Sequence, residues 1–219
     1  MALKEDNRLL QEGNKALKDK NYKEALDLFT KSSEMGNYFA TYNLGCMYYF
    51  GDGVKKDYEK SFNYFMKASI QGDPEATNRV GVMYEEGIGV KKDLEKAYKY
   101  YYNSANMNSL SGMANFASCL LEGKGIKENI ELGLEWLNKS SEKGNGVAST
   151  TLASFYTNGK YVEQDYKIAI KYLERGMKQK YSEAVLELAR FYKEGLGVEV
   201  DLKKAKELEE LAPTIFVED

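Results

Sequence analysis

The stretch Ala40-Thr-Tyr-Asn-Leu-Gly-Cys-Met-Tyr-Tyr-Phe-Gly-Asp-Gly-Val-Lys-Lys-Asp-Tyr-Glu-Lys-Ser61 decides the fold. Leu44, Gly45, Met47 and Tyr48 fall at helical spacing, and the run ends at Gly51-Asp52-Gly53, so the segment from Ala40 reads as an amphipathic helix A stopped by glycine. Asp57 then stands where a helix N-cap belongs, its side-chain oxygen free to accept from an early backbone N–H. Phe62, Phe65, Met66 and Ser69 form the apolar stripe of a following helix B. Helix B stops near Gly72, and Asp73-Pro74-Glu75 opens the next helix A with proline in its first turn.

Working outward, the same columns return at a step of 36 residues: Gly45, Gly81, Ala117, Ala153 and Ala189; Gly51, Gly87, Gly123, Gly159 and Gly195; Asp57, Asp93, Asn129, Asp165 and Asp201. A period of this size is the mark of stacked copies of one supersecondary unit. The loop glycines supply backbone angles that other residues resist, and Val54 plugs the gap between helix ends. In the fourth copy Tyr161 takes the second glycine's place, so that loop is expected to follow a different path. Small residues at Gly45 and at Ser61, Ala97, Gly133, Ala169 and Ala205 mark close helix approaches. Tyr48, Tyr84, Leu120, Tyr156 and Tyr192, with Phe65, Tyr101, Leu137 and Leu173, fill the rest of the core.

The run Ala-x3-Leu-Gly-x2-Tyr-x2-Gly-x-Gly-Val-x2-Asp-x3-Ala, met from Ala40 to Ser61, again from Ala76 to Ala97 and more loosely three further times, resembles the Sel1-like repeat family. The N-terminal segment differs. Gly13 and Ala25 are 12 apart whereas Gly45 and Ser61 are 16 apart, so the first inter-helix loop lacks the glycine insertion. Glu12-Gly-Asn-Lys-Ala-Leu17 with Asn21-Tyr-Lys-Glu-Ala-Leu26 and Phe29 looks like a tetratricopeptide repeat. The resemblance implies an all-α, right-handed α/α superhelix (solenoid) of about six antiparallel helix pairs, with A helices on the concave face. The expected organisation is a tetratricopeptide-like pair over 1–37, five Sel1-like repeats over 38–212 (about 40–75, 76–111, 112–147, 148–183 and 184–212) in one continuous solenoid, and 213–219 as a cap or tail. Ile215, Phe216 and Val217 are the candidate capping residues.

Composition narrows the chemistry. The chain has no histidine, so histidine-based catalysis, Ser-His-Asp or Cys-His nucleophiles and imidazole metal sites are excluded. No cofactor is expected. Cys46 and Cys119 lie two repeat steps apart, too far for a disulfide in stacked repeats. With no signal-peptide pattern at the start and no apolar run near 18 residues, a reducing, cytoplasmic setting is expected, without membrane insertion. A net charge of −3 argues against nucleic acid as the main ligand. Lys55-Lys56 and Lys91-Lys92 read as solvated loops.

A partner is expected on the inward positions of the A helices. An apolar and aromatic zone comprises Leu17, Tyr42, Tyr49 and Phe50; an acidic zone comprises Glu85, Glu86 and Glu122; Asn14, Asn43, Asn115 and Arg79 add polar contacts. Leu121 is also expected to point inward, and a neutral stretch follows at Thr150, Thr151, Ser154, Thr157 and Asn158. Aromatic anchors beside charges are what an interaction groove requires. The competing reading is that Tyr49 and Phe50 merely cover the junction between the two repeat types. Some tetratricopeptide domains grip a peptide carboxylate, and Asn14, Asn43 and Arg79 occupy such clamp positions here, but Leu10 and Glu75 stand where lysines should be.

The functional expectation is therefore a non-catalytic scaffold or adaptor binding a protein or peptide segment in the groove. Two alternatives accompany it. One is an enzyme of the β-lactam-binding or hydrolysing kind described for some Sel1-like proteins, for which no nucleophile with a base is visible. The other is a homodimerisation module using the aromatic N-terminal zone; the sequence leaves the oligomeric state open.

Overall fold

The computed structural model describes the backbone of residues 2–216 and the side chains of residues 5–214. Among the described residues there are twelve α-helices and no strand: α1 (Ala2–Lys18), α2 (Tyr22–Glu34), α3 (Tyr38–Phe50), α4 (Tyr58–Ile70), α5 (Pro74–Glu86), α6 (Leu94–Asn106), α7 (Leu110–Glu122), α8 (Ile130–Glu142), α9 (Gly146–Asn158), α10 (Tyr166–Lys178), α11 (Ser182–Glu194) and α12 (Leu202–Leu211). Odd-numbered helices are the A helices and even-numbered ones the B helices. A 3-10 turn over Ala212–Phe216 follows α12 and lies against α11 and α12. The side chains of Ile215 and Phe216, and Val217, lie outside the described residues.

Five of the B helices start where their caps dictate. Asp57, Asp93, Asn129, Asp165 and Asp201 each accept a hydrogen bond from the backbone N–H three residues on, at 2.8–3.1 Å. That satisfies one of the orphan donors of each B helix. The loops between are closed identically: the backbone N–H of Asp57, Asp93, Asn129, Asp165 and Asp201 donates to the carbonyl of Tyr48, Tyr84, Leu120, Tyr156 and Tyr192, at 2.8–2.9 Å.

The expected detour at Tyr161 does not occur. Tyr161 adopts φ 66°, the same left-handed conformation as Gly53 (φ 69°) and Gly89 (φ 66°). Two ends fixed by the same hydrogen bonds leave the loop one path, and the tyrosine accepts the backbone strain. Its ring is held edge-on against Phe155 at 5.1 Å.

Two compact units emerge, one holding residues up to Gly112 with Lys124–Lys127, the other holding Met113–Gly123 and the residues from Glu128 on. In the first, Ala16, Ala25, Phe29, Leu44 and Met47 form one core cluster, and Phe65, Val80 and Met83 another. In the second, Ala117, Leu121, Leu137 and Leu152 cluster together, as do Ala153, Leu173, Val185, Leu188 and Phe191.

Packing within each pair follows a size rule. A Cβ on Gly45 would stand 2.7 Å from the Phe65 ring, one on Gly81 2.7 Å from the Tyr101 ring, and one on Gly13 2.6 Å from the Phe29 ring. Where helix B carries leucine instead, helix A carries alanine: Ala117 clusters with Leu137 and Ala153 with Leu173. The helix-A tyrosines are half-buried, Tyr48, Tyr84 and Tyr156 stacking on Tyr64, Tyr100 and Tyr172 at 5.5, 5.6 and 5.7 Å. A hydroxyl pair joins each of three B helices to the A helix that follows: Ser33 with Thr41, Ser69 with Thr77 and Ser141 with Ser149, all at 2.8 Å.

Candidate functional site: the groove on the A helices

In the first unit α1, α3 and the start of α5 surround a cavity of about 510 Å³, lined by Leu10, Asn14, Phe39, Tyr42, Asn43, Asp73 and Glu75. These residues meet because positions three or four apart on a helix share a face: Phe39 stands one turn before Tyr42 and Asn43 on α3. Phe39 is 52% exposed, whereas Tyr42 and Asn43 are half-buried. Asp73 caps α5, its Oδ1 accepting from the N–H groups of Glu75 at 2.8 Å and Ala76 at 3.0 Å. Burial pushes the Asp73 carboxyl above its ordinary value, against the lowering effect of those two N–H groups.

Of the groove positions expected from the sequence, Asn14, Tyr42 and Asn43 line this cavity. Asn43 Nδ2 donates to Asn14 Oδ1 at 2.9 Å, so the two amides are spent on each other. Leu17 instead packs against the first core cluster. Arg79 has an exposed side chain but its charged end stands beside the Tyr42 hydroxyl and Cys46; partial burial, the largest single influence, works against its charge, yet Tyr42, Cys46 and Tyr49 together outweigh it and its pKa is raised. Burial likewise raises Tyr42 and Cys46, which disfavours a thiolate at Cys46. Of the clamp positions, the cavity thus brings together the amide pair, an apolar Leu10 and the Glu75 carboxylate, and adds the carboxylate of Asp73 while Arg79 stands outside the lining, which is the wrong charge for holding a carboxylate.

Tyr49 and Phe50 lie at the other end of α3. Tyr49 is half-buried, edge-on to Phe50 at 5.1 Å and to Tyr58 at 5.3 Å, and packs against the cluster of Phe65, Val80 and Met83. Phe50 is 60% exposed. Glu85 accepts from the Tyr101 hydroxyl at 2.6 Å and pairs with Lys124 at 3.1 Å, while Glu86 is exposed. The two glutamates therefore do not act as a carboxylate pair.

In the second unit Asn115 is half-buried and Glu122 is exposed, accepting from Ser118 Oγ at 3.3 Å. Leu121 does not face a groove: it is 3% exposed and lies under Gly133, whose Cβ would stand 2.7 Å from Leu121 Cγ. The equivalent helix-B positions Ser61, Ala97, Ala169 and Ala205 all carry a Cβ, and glycine at 133 gives up that atom to make room for the leucine. A second cavity of about 500 Å³ includes Thr150, Ser154, Thr157, Asn158, Leu186, Glu187 and Arg190. Several of its polar groups are bonded to one another or to their own helix, and the Glu183 carboxylate, also in the lining, accepts from the Tyr181 hydroxyl. Thr150 and Thr157 donate to carbonyls one turn back, and Arg190 bridges Glu187 at 2.9 Å and Glu194 at 3.0 Å.

Leu10 is an inward position of the N-terminal unit, whereas Phe39, Asp73 and Glu75 lie outside the inward positions read from the sequence. The signal for Phe39 and Glu75 was available: each lies six residues before the small residue of its copy, on the face of the inward positions. No group of three or more His, Cys, Asp or Glu residues that could hold a metal ion occurs among the described residues, and no described helix is long and apolar enough to cross a membrane.

Capped helix pairs in register, glycine loops and a hollow face made by alternate helices define an α/α repeat protein of the tetratricopeptide-like kind. The Sel1 repeat model matches residues 8–37, 39–73, 74–109, 110–145, 150–181 and 182–212. The chain belongs to the Sel1 repeat family. The first helix pair is matched as well, its loop shortened to residues 19–21. Among solved structures, a Sel1 repeat protein from Oxalobacter formigenes is 29% identical with a TM-score of 0.84, over 94% of this chain and 84% of that one. A protective antigen of uropathogenic Escherichia coli with an SLR fold is also 29% identical, with a TM-score of 0.78, over 96% of this chain and 46% of its own length. An immunity protein from Pseudomonas aeruginosa, 24% identical with a TM-score of 0.67 over 87% of this chain and 73% of that one, shares the fold. A search of curated proteins gives no match. Sel1 repeat proteins are generally protein-interaction scaffolds on a non-catalytic fold.

Proposed function

We propose that this chain is a non-catalytic adaptor that holds a segment of a protein partner in the groove of its first unit. The observation that carries this reading is the pair of large aromatics left in solvent on one helix, Phe39 (52% exposed) and Phe50 (60% exposed), at either end of a face hollowed by a cavity of about 510 Å³. Folding gains nothing from exposing such rings, whereas buried aromatic anchors dominate binding energy. Tyr42, Tyr49 and Phe50 supply the apolar contact, Asn14, Asn43 and Arg79 the polar contact, and Glu85 and Glu86 an acidic rim; Leu17 supports the floor. Asn115 and Glu122 offer further contacts on the second unit. A balance of 31 basic and 34 acidic residues favours a protein over a nucleic acid.

The test is affinity capture from the source cell with the intact chain against Tyr49→Ala/Phe50→Ala, followed by calorimetry with the purified partner. Loss of at least about tenfold in affinity by a folded variant supports the groove, since two aromatic anchors are involved. Unchanged affinity refutes it. Light scattering across concentration separates a heterologous partner from a second copy of the chain.

A further inference from the structure

The cavity between α1, α3 and α5 has a chemistry that singles out one kind of side chain. Its walls are apolar, from Leu10, Phe39 and Tyr42, and its charged groups are the carboxylates of Asp73 and Glu75; no lysine or arginine lines it. Asp73 is only 3% exposed, and its Oδ1 is used in capping α5. The described residues provide no hydrogen bond or ion pair to its Oδ2. Glu75 Oε1 accepts from Ser109 Oγ at 2.6 Å, a neutral partner. Arg79, the basic residue of this part of α5, stands beside the Tyr42 hydroxyl and is not part of the lining.

We propose that this cavity receives a basic side chain, arginine or lysine, from an extended segment of the partner. The inference rests on the groove reading above and names what the groove recognises. A buried carboxylate without a counter-charge is unfavourable until a cation reaches it. The long side chain of arginine or lysine suits the walls as well, because its methylene stem packs on apolar surface while its head reaches the carboxylates. Phe39, half in solvent, offers its ring to the same cation. A C-terminal carboxylate, the ligand for which the corresponding positions serve in some tetratricopeptide domains, is repelled by the same two acids.

The test uses the full chain, 15N-labelled, titrated with acetyl-Gly-Ser-Arg-Ser-Gly-amide and with the same peptide carrying citrulline, which keeps the shape of arginine and removes its charge. The arginine peptide should shift the amides of Leu10, Phe39, Tyr42 and Glu75 and bind at least about tenfold more tightly than the citrulline peptide, the worth of one charge-assisted contact. Asp73→Asn/Glu75→Gln, which keeps a capping oxygen, should bring the two peptides to the same affinity. Should that pair of changes impair folding, Glu75→Lys, at an exposed position, must abolish the preference on its own. Equal binding of the two peptides to the unaltered chain, or shifts confined to other acidic surfaces, overturns the inference. If the peptides bind alike while Tyr49→Ala/Phe50→Ala still releases the purified partner, the groove stands and the charge assignment fails. If that variant also retains the partner, both fail.

Discussion

The size rule inside each helix pair can be tested by moving one copy's solution into another. At Gly45 an added Cβ would lie 2.7 Å from Phe65 Cε1, 2.8 Å from Cδ1 and 3.2 Å from Cγ. The ring cannot step aside, being 1% exposed with Tyr42 packed on it at 5.3 Å. Gly45→Ala therefore overpacks the pair, at a cost of about 2 kcal/mol, the middle of the usual range. Alanine returns about 1 kcal/mol through helix propensity, leaving a net loss of about 1 kcal/mol. Phe65→Leu alone leaves space above Gly45 and should cost about 1–2 kcal/mol. With leucine at 65 the alanine meets no ring, as at Ala117 with Leu137, and its propensity gain of about 1 kcal/mol survives. The same Gly45→Ala change thus destabilises one background and stabilises the other, a coupling of about 2 kcal/mol.

The assay is urea unfolding of the four proteins followed by far-UV circular dichroism, with thermal melts as a check. A chain of this length should shift its Tm by about 2–4 °C per kcal/mol. Additivity within about 0.5 kcal/mol, the behaviour of independent sites, would refute the reasoning, because it would mean that the ring yields without cost and that glycine at 45 is not there for space.

Three further outcomes follow from the geometry. Gly89→Ala should lose more than about 2 kcal/mol, since its φ is 66° and its Cβ would stand 2.2 Å from the Tyr58 carbonyl oxygen; Tyr161→Gly, at the equivalent place, should change stability by less than about 1 kcal/mol, both read from chemical unfolding. Asp57→Ala removes the oxygen that accepts from Lys60 N–H and should cost about 1 kcal/mol, measured the same way. Asp73→Asn should stabilise the chain at neutral pH and have little effect near pH 3. The folded carboxyl binds its proton more tightly than the unfolded one, whose value is 3.8, so its contribution to stability is lost as pH rises from 3.8 through the raised folded value; melts of both proteins from pH 3 to 7 check the sign.

Most of the fold was legible because each repeat states it again. The caps at Asp57, Asp93, Asn129, Asp165 and Asp201 and the glycines after each helix A are local chemistry, and local chemistry reads directly from sequence. Tyr161 misleads because residue type does not set the loop; the flanking hydrogen bond from Asp165 N–H to the Tyr156 carbonyl does. Leu121 misleads for a related reason. Its inward assignment assumes that every copy presents the same offsets to the groove, whereas Gly133 lacks the Cβ that Ser61, Ala97, Ala169 and Ala205 carry and so opens room for the leucine against helix B. The site was less legible. Arg79 and Glu85 are groove residues by position, but their charges are engaged by Tyr42 in one case and by Tyr101 and Lys124 in the other, contacts that no spacing encodes. Phe39 and Asp73 escape a sequence reading because residues in and just before the first turn of helix A carry capping signals that mask the second role of facing the cavity.

That first turn shows how one chain can be uniform in its core and specific on its face. The column of Phe39 continues as Glu75, Ser111, Val147 and Glu183, and that of Phe50 as Glu86, Glu122, Asn158 and Glu194. Neither column repeats a residue type throughout, although the capping and loop columns nearly do. The difference has an energetic origin. A cap or a glycine in a tight approach is worth a kilocalorie or more per copy, so each copy must solve it alike, whereas an exposed helix position is worth about half a kilocalorie or less to folding. Stability therefore leaves the A-helix face open to variation. What distinguishes the units is then their chemistry: apolar walls and uncompensated carboxylates around α3 and α5, against hydroxyls bonded to their own helix and an arginine already bridged by two glutamates around α9 and α11. The first of these surfaces offers a carboxylate that is only 3% exposed and keeps one oxygen clear of its capping bonds, which is why the basic-side-chain assignment is made there.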